Sequence, residues 1–394
     1  MPAKKKVWPT TDQSGEIWRD RLRYLEGRQE ACVQTIRELV EIESPSDSKA
    51  ATDRIGRVLA EMFAALGGHA QIHSAMDFGD NVQIDFAGLS NVEPVLLLGH
   101  FDTVYPLGTL ATMPCSVADG CMHGPGVLDM KSGIALMLQA IEALQAWHGE
   151  LPRPVTVFLV SDEEVGSYSS RRITESLARK SAAVLVLEPA GPRGTVKTAR
   201  KGVGEYTLRV EGLASHAGLD PGKGHSAIVE LARQITAMWK LNDLQRGVSV
   251  NPGVIRGGTR TNVIAAEATV EIDVRIKMAK QAATLDRKLR ALKPFDKHCK
   301  VSIEGGVNRM PMERNAGVAA LYKKAKAIAS QMDWRLEEAA VGGGSDGNFT
   351  AGIGVPTLDG MGGVGTGAHA LHEHILISEL PRRALLLAGM IETI

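Results

Sequence analysis

Apolar positions Ile17, Leu22, Leu25, Val33, Ile36, Leu39 and Val40 recur at roughly helical spacing, predicting a helix over 12–43 that Ser44-Pro45-Ser46 breaks. A second helix is expected over 52–66, where Gly67-Gly68 suits a C-terminal cap. Beyond it the period shortens. Apolar runs at 81–86, 94–98, 154–160 and 182–187 read as strands, separated by longer segments that include a helical stretch over 132–147. Strands alternating with helices in this way predict an α/β domain with a mostly parallel, buried central sheet.

From about Lys201 to Met310 the grammar differs: strand 204–210, helix 226–241, strands 249–255 and 267–276, helix 280–293, strand 300–303. That order is βαββαβ, a ferredoxin-like α+β unit. A helix over 317–332 and a last helix over 380–393 return to the earlier style, so the unit reads as an insertion. The expected organisation is residues 1–200 and 311–394 as two parts of one catalytic domain, with 201–310 inserted between them. No internal repeat or low-complexity tract interrupts this scheme.

A chain of 394 residues exceeds what one core usually serves, which agrees with two domains. Its 44% hydrophobic and 23% charged residues are ordinary for a folded globular protein. With 45 basic and 45 acidic side chains the formal charge is zero, so the global field favours neither nucleic acid nor anionic lipid as a partner. The start, Met-Pro-Ala-Lys-Lys-Lys, leads into no apolar run of signal-peptide length, and no membrane-spanning run of about 18 apolar residues occurs. The expectation is a cytoplasmic protein whose Lys4–Lys6 tail is merely solvated. Cys32, Cys115, Cys121 and Cys299 are scattered without metal-knuckle or redox spacing, so any metal must be held by histidine and carboxylate.

Three apolar runs end in side chains of that kind. Residues 95–98 lead into Gly99-His100-Phe101-Asp102, residues 155–160 into Ser161-Asp162-Glu163-Glu164, and residues 184–187 into Glu188-Pro189. In open α/β sheets ligands bind beyond the carboxyl ends of the strands, where these three could converge. A fourth carboxylate, Asp129, stands in a Gly-rich turn before the helix at Ser132, where it could equally be a helix cap. A fifth group is His369 or His372, in Gly367-Ala-His369-Ala-Leu-His372-Glu373-His374.

Six segments in order, GHFDTVYP (99–106), HGPGVLDMKSG (123–133), SDEEVGS (161–167), LEP (187–189), ASHAG (214–218) and AHALHEHI (368–375), resemble a known family. It is that of the co-catalytic zinc peptidases, which include aminoacylase, acetylornithine deacetylase, succinyl-diaminopimelate desuccinylase and the glutamate carboxypeptidases of carboxypeptidase G type. The resemblance covers nearly all of the chain after about residue 30. It implies that Asp129 bridges two zinc ions, with His100 and Glu188 completing one site and Glu164 and His369 the other; cobalt or manganese are alternatives. His369 is preferred over His372 because family members place the ligand four residues before a Glu, here Glu373. Such donors suit zinc, which accepts imidazole and carboxylate and in catalytic sites keeps a position open.

By the same resemblance Glu163 is the general base and proton shuttle, and Asp102 orients the imidazole of His100. His216 is the histidine that reaches into a partner subunit's site to stabilise the oxyanion, with Asn262 beside it, which implies a homodimer through the inserted domain. Arg275 and Arg309 match positions linked to a substrate carboxylate, a task that suits the planar guanidinium fork; a salt-bridged sheet residue is the other reading of Arg275. Gly343 and Gly344 match a loop whose backbone approaches the substrate. Arg200 and Lys201 are further candidates for reading the substrate side chain. Departures from the family pattern occur at Met310, Ala265 and Ser132, and none removes a ligand.

The expected activity is a dinuclear-metal hydrolase that cleaves an amide bond beside a carboxylate-bearing residue, foremost a glutamate carboxypeptidase acting on N-acyl or short peptidyl glutamate. The runner-up is an aminoacylase or deacetylase of N-acyl amino acids. A metal-free binding protein that retains only the fold is the reading from another class.

Overall fold

The computed structural model describes residues 14–394. The Lys4–Lys6 tail and the first residues of the expected 12–43 helix lie outside that range. The remainder of that helix is two helices, Ser14–Glu26 and Gln29–Val40. The break falls at Gly27, whose N–H still closes onto Arg23 while Arg28 bonds back to Leu25. Glycine is a poor helix interior residue, and apolar positions recur on both sides of it, so the periodicity does not mark the interruption.

The described residues form two compact units: one of residues 14–199, 314–341 and 345–394, the other of residues 200–313 and 342–344. In the first, a six-stranded sheet runs in the order His69–His73, Asn81–Phe86, Val155–Val160, Val95–His100, Ala183–Val186, Thr357–Leu358. The last four are mutually parallel and Asn81–Phe86 is antiparallel to its neighbours, so the expected mostly parallel α/β sheet is present. The central strands are apolar at nearly every position, and the period of two sorts them between two cores. Val95, Leu97, Val157, Leu159 and Leu185 join a large cluster with the helices Ser132–His148 and Leu380–Thr393, while Leu96, Leu98, Phe158, Val160, Val184 and Val186 face a smaller one that includes Ala178. Both faces of the sheet are therefore covered, as continuous apolar strands require.

Register fixes what emerges at the sheet's carboxyl edge. His100 pairs with Val160, and Leu98 with Val186, so the segments after the three strands begin side by side. A second, four-stranded sheet of very short strands, Gly365–Thr366, His374–Leu376, Cys121–His123 and Ser116–Ala118, ties the chain near His369 to the chain leading into Asp129.

In the second unit Gly202–Glu211, Ala227–Trp239, Ser249–Gly257, Glu267–Ile276, Ala279–Arg290 and Lys300–Arg309 follow one another as βαββαβ. The sheet order is Ser249–Gly257, Glu267–Ile276, Gly202–Glu211, Lys300–Arg309, all antiparallel, which is the ferredoxin-like arrangement. Alternate residues Tyr206, Leu208 and Val210 meet Val270, Ile272 and Val274 in its core. Among the described residues no helix is long and apolar enough to cross a membrane.

Candidate metal centre

The first unit gathers His100, Asp102, Asp129, Glu163, Glu164, Glu188 and His369 beyond the ends of the three parallel strands. His100 is the last residue of its strand and is buried. Its Nε2 lies 3.1 Å from Oδ1 of Asp129 and 3.4 Å from Oε1 of Glu188. The other oxygen of Asp129, Oδ2, lies 3.4 Å from Nε2 of His369, which is also 3.2 Å from Oε2 of Glu164. Asp129 thus divides its two oxygens between two imidazoles, and each imidazole has a glutamate of its own. It caps no helix: Ser132–His148 has no side-chain cap, so of its two open readings the turn position facing the histidines is the one observed.

Tight backbone geometry delivers these groups. Gly126 takes φ 71°, and a Cβ there would come 2.6 Å from the methyl of Thr103, so the turn before Asp129 requires glycine. A cis peptide joins Asp129 to Met130, whose sulfur accepts the backbone N–H of His100 at 3.3 Å. His369 itself adopts the left-handed region at φ 63°, a conformation that non-glycine residues hold mainly where the surroundings impose it. Glu188 is steadied from behind. Its carbonyl accepts the N–H of Gly362 at 2.9 Å, in a turn that the fully buried Arg383 clamps by donating to the carbonyls of Gly194, Gly360 and Gly362.

Asp102 is buried beneath His100. Its carboxylate accepts the hydroxyl of Ser46 at 2.7 Å and the N–H groups of Glu163 and Glu164 at 3.2 Å each, and so holds the single turn Glu163–Val165. A carboxylate oxygen of Glu163 comes within 4.8 Å of donor atoms of both His100 and Glu188, and the same holds for Asp129 and Glu164 with His100.

The electrostatics follow from crowding. Burial alone would keep His100 neutral, but hydrogen bonds to Asp102, Asp129 and Glu188 outweigh it and raise its pKa well above the ordinary value. His369 is raised to about 10, first by Asp129 and then by Glu164. Burial pushes Glu164 up, against the pull of His369. For Asp129 burial also acts upward, yet the two histidines together draw it far below the usual carboxylate range.

The second unit carries the other predicted residues. His216 is exposed and its Nδ1 accepts the N–H groups of Gly218 and Leu219, both at 3.1 Å, which leaves the ring proton on Nε2. Asn262 is held beside it: its carbonyl accepts the N–H of Ala217 at 3.0 Å. Arg275 is paired bidentately with Asp273 at 2.9 and 2.7 Å, the salt-bridged arrangement that was its alternative reading. Arg309 ends its strand and is buried. Arg200 donates to the carbonyls of Gly343 and Gly344 at 3.2 and 3.1 Å and so fixes that loop.

Three residues of the centre escaped sequence reasoning as functional groups. Glu373 served only as a spacing marker, Tyr105 was one letter in a motif, and Arg383 was not singled out within the last helix. Tyr105 and Glu373 lie in irregular segments where no period applies, and Arg383 is a charged residue inside a largely apolar helix, so no pattern singled them out.

Comparison with known proteins agrees with this architecture. The chain is 28% identical over 372 residues to carboxypeptidase G2 of Pseudomonas sp. (strain RS-16), covering 92% of this chain and 89% of that one. It is 27% identical over 333 residues to succinyl-diaminopimelate desuccinylase of Azoarcus sp. (strain BH72), covering 75% and 83%. Among solved structures, the aminopeptidase PepT of Bacillus cereus superposes with a TM-score of 0.78 at 24% identity, over 92% of this chain and 98% of that one, a likeness of fold. The description "Peptidase family M20/M25/M40" matches residues 96–393, and the chain belongs to that family.

Proposed function

We propose that the first unit holds two zinc-type ions, one between His100 and Glu188 and one between His369 and Glu164, with Asp129 shared. The observation that carries this reading is the spacing of the donors. Zinc bonds of about 2.0–2.1 Å in a tetrahedron set ligand atoms about 3.3–3.4 Å apart. The four nitrogen–oxygen separations are 3.1, 3.4, 3.4 and 3.2 Å. Two further features support it. Glu164 Oε1 is buried with no hydrogen-bond partner, and five carboxylates outnumber two imidazoles even with both rings protonated, an imbalance that divalent cations relieve.

When bound, such ions supply Lewis-acid polarisation of the scissile carbonyl and acidify the attacking water. Asp102 holds the ring of His100 in one tautomer and keeps the Glu163–Val165 turn in register. Glu163 takes the proton from the attacking water and passes it to the leaving amine nitrogen, the two halves of general acid–base catalysis. His216, with its proton on Nε2, donates to the developing oxyanion from a partner subunit. A second copy of the chain would pair along the free edge of Ser249–Gly257 and the adjacent helix Ala227–Trp239, where Val254, Ile255, Ile228, Val229 and Trp239 are exposed.

The substrate class we favour is an N-acyl or short peptidyl glutamate, cleaved as by a glutamate carboxypeptidase. The match to carboxypeptidase G2 spans more of the chain than that to the desuccinylase. Arg309 is the candidate for the substrate carboxylate. Purified protein loaded with zinc should hydrolyse folate-like and other N-acyl glutamates; cleavage of N-acetyl neutral amino acids with no action on glutamate conjugates would move the assignment to an aminoacylase.

A further inference from the structure

Glu373 has no exposed surface, yet every face of its carboxylate is engaged. Oε1 accepts the N–H of Leu128 at 2.8 Å and of Asp129 at 2.9 Å; Oε2 accepts the phenolic O–H of Tyr105 at 2.6 Å and the N–H of Gly126 at 3.3 Å. The Tyr105 oxygen also lies 3.0 Å from the carbonyl of Ala370. Glu373 belongs to the loop that bears His369, and the three amides belong to the turn that bears Asp129. One buried carboxylate therefore spans the two loops whose side chains face each other across 3.4 Å.

We propose that Glu373 is a positioning residue which, braced by Tyr105, sets the distance between Asp129 and His369 and so decides whether both ions are held at once. The inference rests on the reading of Asp129 and His369 as ligands. The residue type follows from the inventory of donors. Three amide N–H groups, which can only donate, and a phenolic O–H converge here, and an ionised carboxylate offers about four lone-pair sites and no proton. A glutamine there keeps one acceptor oxygen but sets its NH2 group either against the amides of Leu128 and Asp129 or against that of Gly126, donor against donor, and one loop must move.

The test is a zinc titration of the full chain, stripped with a chelator and then given zinc chloride in competition with a chromophoric chelator, with the thermal midpoint of each metal-free protein measured alongside. Glu373→Gln should bind one of the two zinc equivalents on the order of 10–100-fold more weakly, the usual loss when a residue behind a ligand is changed. Tyr105→Phe, which keeps the carboxylate, should show a smaller loss of roughly threefold or more in the same equivalent. A merely structural role would lower the midpoint and leave both affinities alone. Wild type taking up fewer than two zinc ions would overturn the dinuclear reading beneath the inference. Wild type binding two, with both variants matching its affinities, would overturn the positioning role alone. If Glu373→Gln does not fold, Tyr105→Phe decides, and an unchanged affinity there counts against the proposal.

Discussion

Nδ1 of His100 stands 3.0 Å from the backbone carbonyl of Asp102 and 3.4 Å from its carboxylate, while Nε2 faces Asp129 and Glu188. In the neutral ring that binds a cation the proton consequently sits on Nδ1, and Nε2 is the nitrogen available. Asp102→Ala keeps the backbone carbonyl but removes the carboxylate beside Nδ1 and frees the Ser46 hydroxyl and the two turn amides. Zinc affinity should fall by about 10–100-fold, with Asp102→Asn intermediate, as read by chelator competition. Equal affinities in all three proteins would dissociate Asp102 from the ligand.

Glu163 differs from its neighbour Glu164 in the reading above: one moves a proton, the other holds an ion. Glu163→Gln should lower kcat by about 10²–10⁴-fold while the protein retains its full zinc content, measured by elemental analysis of the same sample. A variant that keeps its metal and turns over like wild type would remove Glu163 from catalysis.

His216→Ala should lower kcat by on the order of 10²–10³-fold with little change in KM, the cost of losing one oxyanion donor. Because His216 is read as acting on the partner's site, mixing this variant with Glu163→Gln should restore activity. Statistical subunit exchange predicts roughly one quarter of the wild-type rate, since half of the sites in each mixed dimer regain both groups. Absence of any recovery would confine His216 to its own subunit.

Far from the centre, Glu392 provides a pH test of the fold. Burial raises its pKa, but hydrogen bonds from His148 and Arg21 prevail and bring it from 4.5 down to about 2. Arg21 is itself buried and lies over the rings of Trp18 and Trp147. A carboxylate with a depressed folded-state pKa stabilises the protein above its unfolded pKa, and that stability is lost as pH falls from about 4.5 towards 2. Glu392→Gln should therefore cost about 2–3 kcal/mol near pH 6 and progressively less below pH 4.5. Urea unfolding of both proteins across that range measures the gap; a gap independent of pH would show that charge is not the cause.

How far the sequence discloses this molecule depends on which physical signal each residue carries. His100, Glu164 and Glu188 follow long apolar runs, and a parallel strand buried on both faces cannot hide such a run, so strand ends and their polar successors are readable. Asp129 sits in an irregular turn where no period applies, and its choice between cap and ligand depends on a backbone that only the folded chain displays. His369 and His372 are equivalent in pattern; left-handed backbone at His369 and the reach of its ring to Asp129 separate them. The break at Gly27 escaped because apolar positions recur at helical spacing on both sides of it. Strands of two or three residues, such as His374–Leu376, are too short for alternation to register.

The most direct test of the central claim is anomalous diffraction at the zinc edge from crystals grown with zinc. The account predicts two peaks per chain, one among His100, Glu188 and Asp129 and one among His369, Glu164 and Asp129. A single peak, or one held by His372 in place of His369, would contradict it.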